Sequence, residues 1–240
     1  YRGGGHFSGR LTAPLVFAGA VAKQELARQG VFVGAHIRAV AGVEDTPFDG
    51  IHETRELFEM LAAKPFPTVS DEAGARMRRA IFAAKEDCDS VGGVIECCAV
   101  GLPAGLGSPD FGQNVEGIVS QHLFAVPAVK AVAFGAGFGF AGMRGSAAND
   151  PFCLRDGKIA TETNRTGGVN GGITNGMPLW FSVAVRPTPS ISRLQRTVSL
   201  SRLEPAELVV RGRHDPCIVH RAVPVIEAAC ALALCRLMRR

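Results

Sequence analysis

The sequence predicts a mixed fold of the α+β class, on three observations. Helical and strand periodicities interleave along the chain, from an amphipathic stretch after Thr12 to an apolar helix over 221–238. Two segments, 31–38 and 179–185, alternate apolar and polar residues as half-buried strands do. Hydrophobic residues make up 47% and charged residues 20% of a chain of 240 residues. That composition supports a sizeable core and excludes a disordered chain, which needs low hydrophobicity and high net charge.

The elements follow in order. Thr12, ahead of Ala13-Pro14, reads as an N-cap with proline in the first turn. Leu15, Ala18, Ala22 and Leu26 then share a face, and Gly30 stops the helix. Val31, Val33, Ala35 and Ile37 lie on one side of the strand over 31–38. The second helix begins at Ser70, with Asp71 and Glu72 in its first turn, where carboxylates complement the helix dipole. A strand over 90–100 is interrupted by Gly92-Gly93 and precedes a turn-rich stretch over 101–107. A helix through Val115, Ile118, Val119 and Leu123 leads to a strand at Val129–Phe134. Residues 135–176, dense in Gly, Asn and Thr, read mostly as loop, and loops that long are uncommon and usually functional. The strand over 179–185 is broken by Pro187 and Pro189, shorter strands precede Gly212, and the last helix is apolar on most faces, so it belongs to the core. No Pro/Ser-rich linker and no repeat divides the chain.

Composition narrows the function classes. Lys and Arg number 26 against 22 Asp and Glu, a net charge of +4. There is no basic run beyond Arg78-Arg79 and Arg239-Arg240, and one Trp and one Tyr are available for stacking. Nucleic acid is therefore not the expected partner. The scattered cations, mostly arginine, suit small anionic ligands. Seven cysteines, an odd number with no C-x-x-C pair, fit neither a disulfide frame nor a zinc site. They are expected to be reduced thiols of a cytoplasmic protein, buried as small hydrophobes. The longest apolar stretch, 228–234, falls far short of the roughly 20 residues of a membrane span, so no membrane association is expected. The 29 glycines exceed a usual share of about 7%, which predicts many special backbone positions or close approach of backbone to a ligand.

Four segments carry candidate chemistry. Residues 3–10 could cradle an anion on backbone amides at a helix entry, with Arg10 as an added donor, or form a plain turn. Gly137-Phe138-Gly139-Phe140-Ala141-Gly142 fits G-x-G-x-x-G after a strand. Its continuation is rich in Gly, Asn and Pro where a helix is needed, so an NAD(P)-binding oxidoreductase stays only as an alternative. Arg186-Pro187-Thr188-Pro189-Ser190-Ile191 ends a strand with a cation, two hydroxyls and a stiff backbone, suited to a phosphate clamp or an edge turn. Arg213-His214-Asp215-Pro216 could serve proton transfer beside an arginine, or form a salt-bridged corner. His36, His52, His122 and His220 have no motif around them and are expected at the surface or in satisfied core positions.

Taken together, ordered segments over the whole chain resemble the chorismate synthase family. They include Tyr1-Arg2-Gly3-Gly4-Gly5, Asp89-Ser90-Val91-Gly92-Gly93, Leu102-Pro103-Ala104-Gly105-Leu106-Gly107, Gly145-Ser146 with Asn149-Asp150, and Asn164-Arg165-Thr166-Gly167-Gly168-Val169-Asn170-Gly171-Gly172-Ile173-Thr174-Asn175-Gly176. Ala18-Gly19-Ala20-Val21-Ala22-Lys23, Pro127-Ala128-Val129-Lys130, the segment from Arg186 to Ile191, and Gly212-Arg213-His214-Asp215-Pro216-Cys217 complete the set. The resemblance implies a β-α-β sandwich, usually a homotetramer, and a lyase of the shikimate pathway. Its reaction is the 1,4-elimination of phosphate from 5-enolpyruvylshikimate 3-phosphate to chorismate, with reduced FMN and no net redox change.

Position by position, the resemblance makes His6, Phe7 and Ser8 flavin-contacting, where the family usually has Arg-Ser-Ser and only Ser8 keeps its type. It makes Arg10 substrate-binding, and Pro127, Ala128, Gly171, Arg186, Pro187, Thr188, Pro189, Ser190 and Arg213 flavin-contacting, with Arg213 also near substrate. Arg186 stands where lysine is common, preserving charge but not geometry. Asp215 matches the aspartate that assists proton handling near flavin N5, and Ser8 joins it among the catalytic candidates. The family's two histidine motifs, Gly-Glu-Ser-His-Gly and Arg-Pro-Gly-His-Ala-Asp-Tyr, occur nowhere in the sequence. Residues 1–240 are therefore expected to be a partial domain, N-terminally incomplete and inactive alone, with apolar surface exposed. A non-catalytic flavin-binding remnant of the same fold is the remaining alternative.

Overall fold

The computed structural model describes residues 5–155, 157–212 and 214–239. Helix α1 (Ala13–Arg28) carries Pro14 in its first turn, while the Thr12 hydroxyl donates back to the Gly9 carbonyl at 2.6 Å. The chain reverses at Gln29-Gly30 into β1 (Phe32–Val40), which pairs with the short β2 (Val43–Glu44). Helix α2 (Arg55–Ala62) follows, capped by the Thr54 hydroxyl, which accepts the Leu57 N–H at 3.3 Å. Ser70 caps α3 (Asp71–Glu86) in the same way, accepting from the Ala73 N–H at 3.3 Å. Next come β3 (Gly93–Val100), α4 (Val115–Phe124) and β4 (Val129–Phe134). A single turn, α5 (Gly145–Ala148), precedes two small hairpins, β5 (Phe152–Arg155) with β6 (Lys158–Thr161) and β7 (Val169–Asn170) with β8 (Ile173–Thr174). Strand β9 (Leu179–Val185), the hairpin β10 (Gln195–Ser199) and β11 (Glu204–Leu208), and α6 (Val219–Met238) complete the chain.

The strands β2-β1-β3-β9-β4 form a five-stranded sheet, antiparallel throughout. Its register sets Ala35 opposite Cys97, Cys97 opposite Phe181 and Phe181 opposite Phe134, a row that faces the helices. Because strand side chains alternate, Gly34, His36, Glu96, Cys98, Trp180 and Ser182 point to the other face. Helix α6 crosses the first face over β1 and β3, with α1 and α4 packed against it. Leu26, Ile37, Ile95, Leu123, Phe181 and Leu234 are buried in that core. On the second face α2 lies on β1 so closely that a Cβ on Gly34 would overlap the Phe58 ring, and Phe48, Phe58, Leu61 and Cys98 form a smaller cluster.

The α+β class holds, and one sheet with its helix layer is present as the sandwich requires. On α1, Phe17 and Val21 are 74% and 55% exposed, so apolar surface is open to solvent there. Four expectations need correction. Helix α2 was not anticipated, although Thr54 and the spacing of Leu57, Phe58 and Leu61 announce it. The third strand starts at Gly93 rather than at residue 90, because the Val91 N–H leaves the sheet to bond the Pro216 carbonyl at 2.8 Å. Residues 135–176 hold two small hairpins and a helical turn within the loop. Cys88 is exposed and Cys153 and Cys235 are half-buried rather than buried, and all seven cysteines are free thiols.

Candidate functional site

One end of the sheet, where β3 and β4 begin and β9 ends, collects three loops. Ala128 turns into β4 with φ of +74°, a conformation unusual for a residue with a Cβ, and its carbonyl accepts the Arg186 N–H at 2.9 Å. Beyond Val185 the 186–190 segment runs against 89–92, where the Ser90 hydroxyl donates to the Thr188 carbonyl at 2.6 Å. The neighbouring Val91 N–H holds Pro216, which brings Asp215 to the same place. Ala128, Arg186, Pro187, Thr188, Pro189, Ser190 and Asp215 thus lie close together.

The cluster is open and incompletely paired. Arg186, Pro187 and Pro189 are exposed, and Thr188 and Ser190 are half-buried. The Thr188 hydroxyl oxygen is buried without a hydrogen-bond partner. Asp215 pairs with Arg221 at 2.5 Å, but the two side chains are 44% and 56% exposed, and so open a pair holds loosely. His220, in the first turn of α6, stacks on Phe66 at 5.9 Å between ring centroids, with its Nδ1 buried and unpartnered. Burial, then the charge of Arg221, pushes its pKa down, with Asp215 opposing. A neutral imidazole therefore flanks Asp215. No sequence motif marked His220; the usable signal is its place in the first helical turn after Arg213-His214-Asp215-Pro216. His214 itself donates from Nε2 to the Val210 carbonyl at 2.8 Å and holds the loop.

Other predicted residues lie elsewhere. Gly171 (φ +59°) tips the β7–β8 turn, and the adjacent Gly172 carbonyl accepts the Val115 N–H at 3.0 Å. Gly171 therefore sits by the start of α4 while Ala128 sits past its end, about 15 Å apart along a ten-residue helix. Ser8 caps a 3-10 turn at Gly9–Thr12, its hydroxyl accepting the Arg10 N–H at 3.3 Å. His6 and Arg10 are exposed, and among the described residues no hydrogen bond joins 5–12 to the converging loops. Arg213 lies outside the described residues, as does the side chain of Phe7.

The dinucleotide alternative loses its geometry. Gly137–Gly142 is a 3-10 turn, Met143 after it is extended (φ −91°, ψ 147°), and α5 has four residues, so no helix opens where a pyrophosphate would sit. Asp150 organises this region instead. It accepts N–H groups of Arg165 and Thr166 at 2.8 and 2.9 Å and hydroxyls of Thr163 and Thr166 at 2.7 and 2.9 Å. Burial pushes its carboxyl up, but these bonds outweigh burial and hold it below the ordinary carboxylate range.

The structure is thus an antiparallel sheet backed by helices, of the α+β class, with arginine, hydroxyl and carboxylate groups on three loops at one end. The chain belongs to the chorismate synthase family, whose family model matches residues 1–238. It is 52% identical over 242 residues to the chorismate synthase of Thermococcus gammatolerans, covering 100% of this chain and 65% of the relative. The chorismate synthase of Thermococcus kodakarensis is 48% identical, again with 100% and 65% covered. A crystal structure of chorismate synthase superposes with a TM-score of 0.79 at 27% identity, covering 96% of this chain and 63% of that one. The chain thus spans about 65% of the length of these curated relatives. Among the described residues no helix is long and apolar enough to cross a membrane.

Proposed function

We propose that residues 1–240 are a partial chorismate synthase domain. In the working enzyme it takes part in the 1,4-elimination of phosphate from 5-enolpyruvylshikimate 3-phosphate, giving chorismate, with reduced FMN. The observation that carries this reading is the convergence of Ala128, the 186–190 segment and Asp215 at one sheet end. Those residues fit the phosphate-bearing cofactor: the orphaned Thr188 hydroxyl, the free guanidinium of Arg186 and Ser190 form a donor set for anionic oxygens. Reduced flavin, when bound, supplies the electron-rich ring that helps the carbon–oxygen bond to break.

The chain's own residues position and screen. Arg186, Thr188 and Ser190 hold anionic oxygens, and the left-handed turn at Ala128 presents its backbone beside them. Asp215 holds or passes a proton at a carboxylate oxygen, and its loose pair with Arg221 leaves that oxygen able to exchange partners. In the working enzyme Arg10, Arg213 and Ser8 serve substrate or cofactor, with His6, Phe7 and Gly171 as further flavin contacts. The working enzyme is a cytoplasmic homotetramer in this reading.

Fluorescence titration with FMN tests it. FMN should bind, and Thr188→Val or Arg186→Ala should weaken binding about tenfold, the worth of one charge-assisted hydrogen bond. No FMN binding, or no effect of either variant, overturns the site. Anaerobic assay with reduced FMN should give no chorismate from this polypeptide alone. Chorismate should form once the preceding third of the Thermococcus gammatolerans enzyme is supplied, and Asp215→Asn should abolish it.

A further inference from the structure

Away from that site, a sealed ionic cluster sits on the α2 face of the sheet. His36 lies on β1 directly across from Glu96 on β3, with none of its surface exposed. Its Nε2 is 3.0 Å from a Glu96 oxygen and its Nδ1 is 3.1 Å from an Asp45 oxygen. A neutral imidazole has one N–H and can serve only one of these carboxylates. Both contacts are hydrogen bonds only when the ring carries its second proton.

The two carboxylates also hold the chain that covers this face. Asp45 accepts the N–H groups of Val69 at 2.6 Å and Ser70 at 2.9 Å, the latter at the cap of α3. Glu96 accepts the Phe48 N–H at 2.9 Å, and the Phe48 ring closes over the imidazole at 4.3 Å between centroids. The strap continues to Gly50, whose carbonyl accepts from the Asn164 side-chain amide at 2.7 Å, and Asn164 also accepts Trp180 Nε1–H at 2.9 Å. Both ends of 45–70 are therefore tied to His36 through the Asp45 carboxylate, and Gly50 is tied to the glycine-rich loop that begins at Asn164.

We propose that the His36 imidazolium is a proton-operated lock: while protonated it fastens the 45–70 strap, and its deprotonation releases the strap and the 164–168 loop braced by it. Burial pushes the His36 pKa down, but the bonds to Asp45 and Glu96 outweigh it and leave it raised above 6.5. The sign follows. A raised folded-state pKa gives stability that is complete below about 6.5 and is lost as pH rises through the folded value. Each unit of elevation corresponds to about tenfold in the opening equilibrium.

Other charged groups face the cluster, and the Glu96→Gln comparison below separates their titration from that of His36. On the β1–β2 side Arg38 approaches Glu96 at 3.8 Å and pairs with Glu44 at 2.9 Å. On β3 the buried Cys98 thiol is pushed well above 9.0 by burial and stays neutral. Within the strap, burial pushes Asp49 up but its bonds to His52 outweigh burial and hold it low, while burial raises Glu53 above 4.5. Among the described residues exposed His52 pairs with Asp49, at 2.7 Å. From α2, Arg55 pairs with Glu59 at 2.7 Å, and Lys64 ahead of α3 pairs with Asp71 at 2.8 Å, both away from the imidazole.

Amide hydrogen exchange of the full chain between pH 6 and 9, corrected for intrinsic rates, tests the lock. Protection at Phe48, Val69 and Ser70 should fall about tenfold per unit above the His36 pKa. In Glu96→Gln the amide can donate to a neutral ring and still accept from Phe48, so the pH dependence should flatten. Should that variant not fold, 15N chemical shifts of the imidazole in the parent decide: both nitrogens protonated at pH 6.5 supports the lock. A neutral ring at that pH, protection that does not change with pH, or equal pH dependence in Glu96→Gln overturns it. None of these readouts depends on flavin binding or catalysis.

Discussion

Two polar clusters share one sheet and differ in how completely they are satisfied. Around His36 both ring nitrogens meet a carboxylate, both carboxylates accept backbone N–H groups, and water is excluded. At the converging loops Thr188 Oγ1 and His220 Nδ1 are buried without partners, Arg186 faces solvent, and Asp215 holds a half-exposed arginine. A saturated network fixes structure, whereas leftover donors and acceptors at an opening are what a ligand completes. The difference predicts opposite responses to mutation: large stability effects and no ligand effect in one cluster, the reverse in the other.

The largest effect belongs to His36→Leu. It keeps apolar volume but strands Asp45 as a buried charge without a counterion and leaves Glu96 only Arg38, at 3.8 Å, which destabilises by about 3–5 kcal/mol. Urea denaturation at pH 6 measures it. A loss below about 1 kcal/mol would mean that water already reaches the cluster, and the contrast between the two regions would collapse.

Asp150→Ala sharpens the comparison from an intermediate setting, since Asp150 is half-buried yet accepts four hydrogen bonds. Loss of those bonds, discounted for solvent screening, should destabilise by about 1–2 kcal/mol. Its carboxyl is held below 3.8, so this stability is complete above about 3.8 and is lost as pH falls through the lower folded value. Acid denaturation of the parent should show the loss, and Asp150→Ala should lack that component.

The regular elements were legible because local chemistry sufficed for them. The alternation of Leu179–Val185 matches its burial residue for residue, and Ser70 with Asp71 and Glu72 places the start of α3. Helix α2 escaped because its eight residues give barely two turns of periodicity. The site was legible only through ordered family segments: nothing local says that Ser90 would reach Thr188, 98 positions away. The His36 lock was invisible for the same reason, because His36, Asp45 and Glu96 become neighbours only through β-strand register and a tight β1–β2 turn. Gly171 was matched by its segment alone, and its place beside the start of α4 follows from the Gly172 carbonyl accepting the Val115 N–H.

Thr188→Val should leave stability within about 0.5 kcal/mol, or raise it slightly, because it removes a buried hydroxyl that has no partner. Its FMN affinity should nevertheless fall, and that pairing is the signature of a group held ready for a ligand. A destabilisation above about 1 kcal/mol would show that the hydroxyl is satisfied within the fold, and Thr188 would move to the structural side of the comparison.

The smallest stability effect is expected for Asp215→Asn. The substitution removes one charge of a pair with Arg221 in which both side chains are about half exposed, and exposed pairs contribute roughly 0–1 kcal/mol. Asparagine keeps the shape and can still accept from Arg221, so urea midpoints of parent and variant should coincide within about 0.5 kcal/mol. What asparagine cannot do is hold and release a proton, and in the completed enzyme that loss should appear in turnover while FMN binding stays near parental. If instead turnover persists and stability falls by more than about 1 kcal/mol, Asp215 is a corner salt bridge. The Arg213-His214-Asp215-Pro216 turn would then resemble the His36 cluster in kind, differing only in its exposure to water.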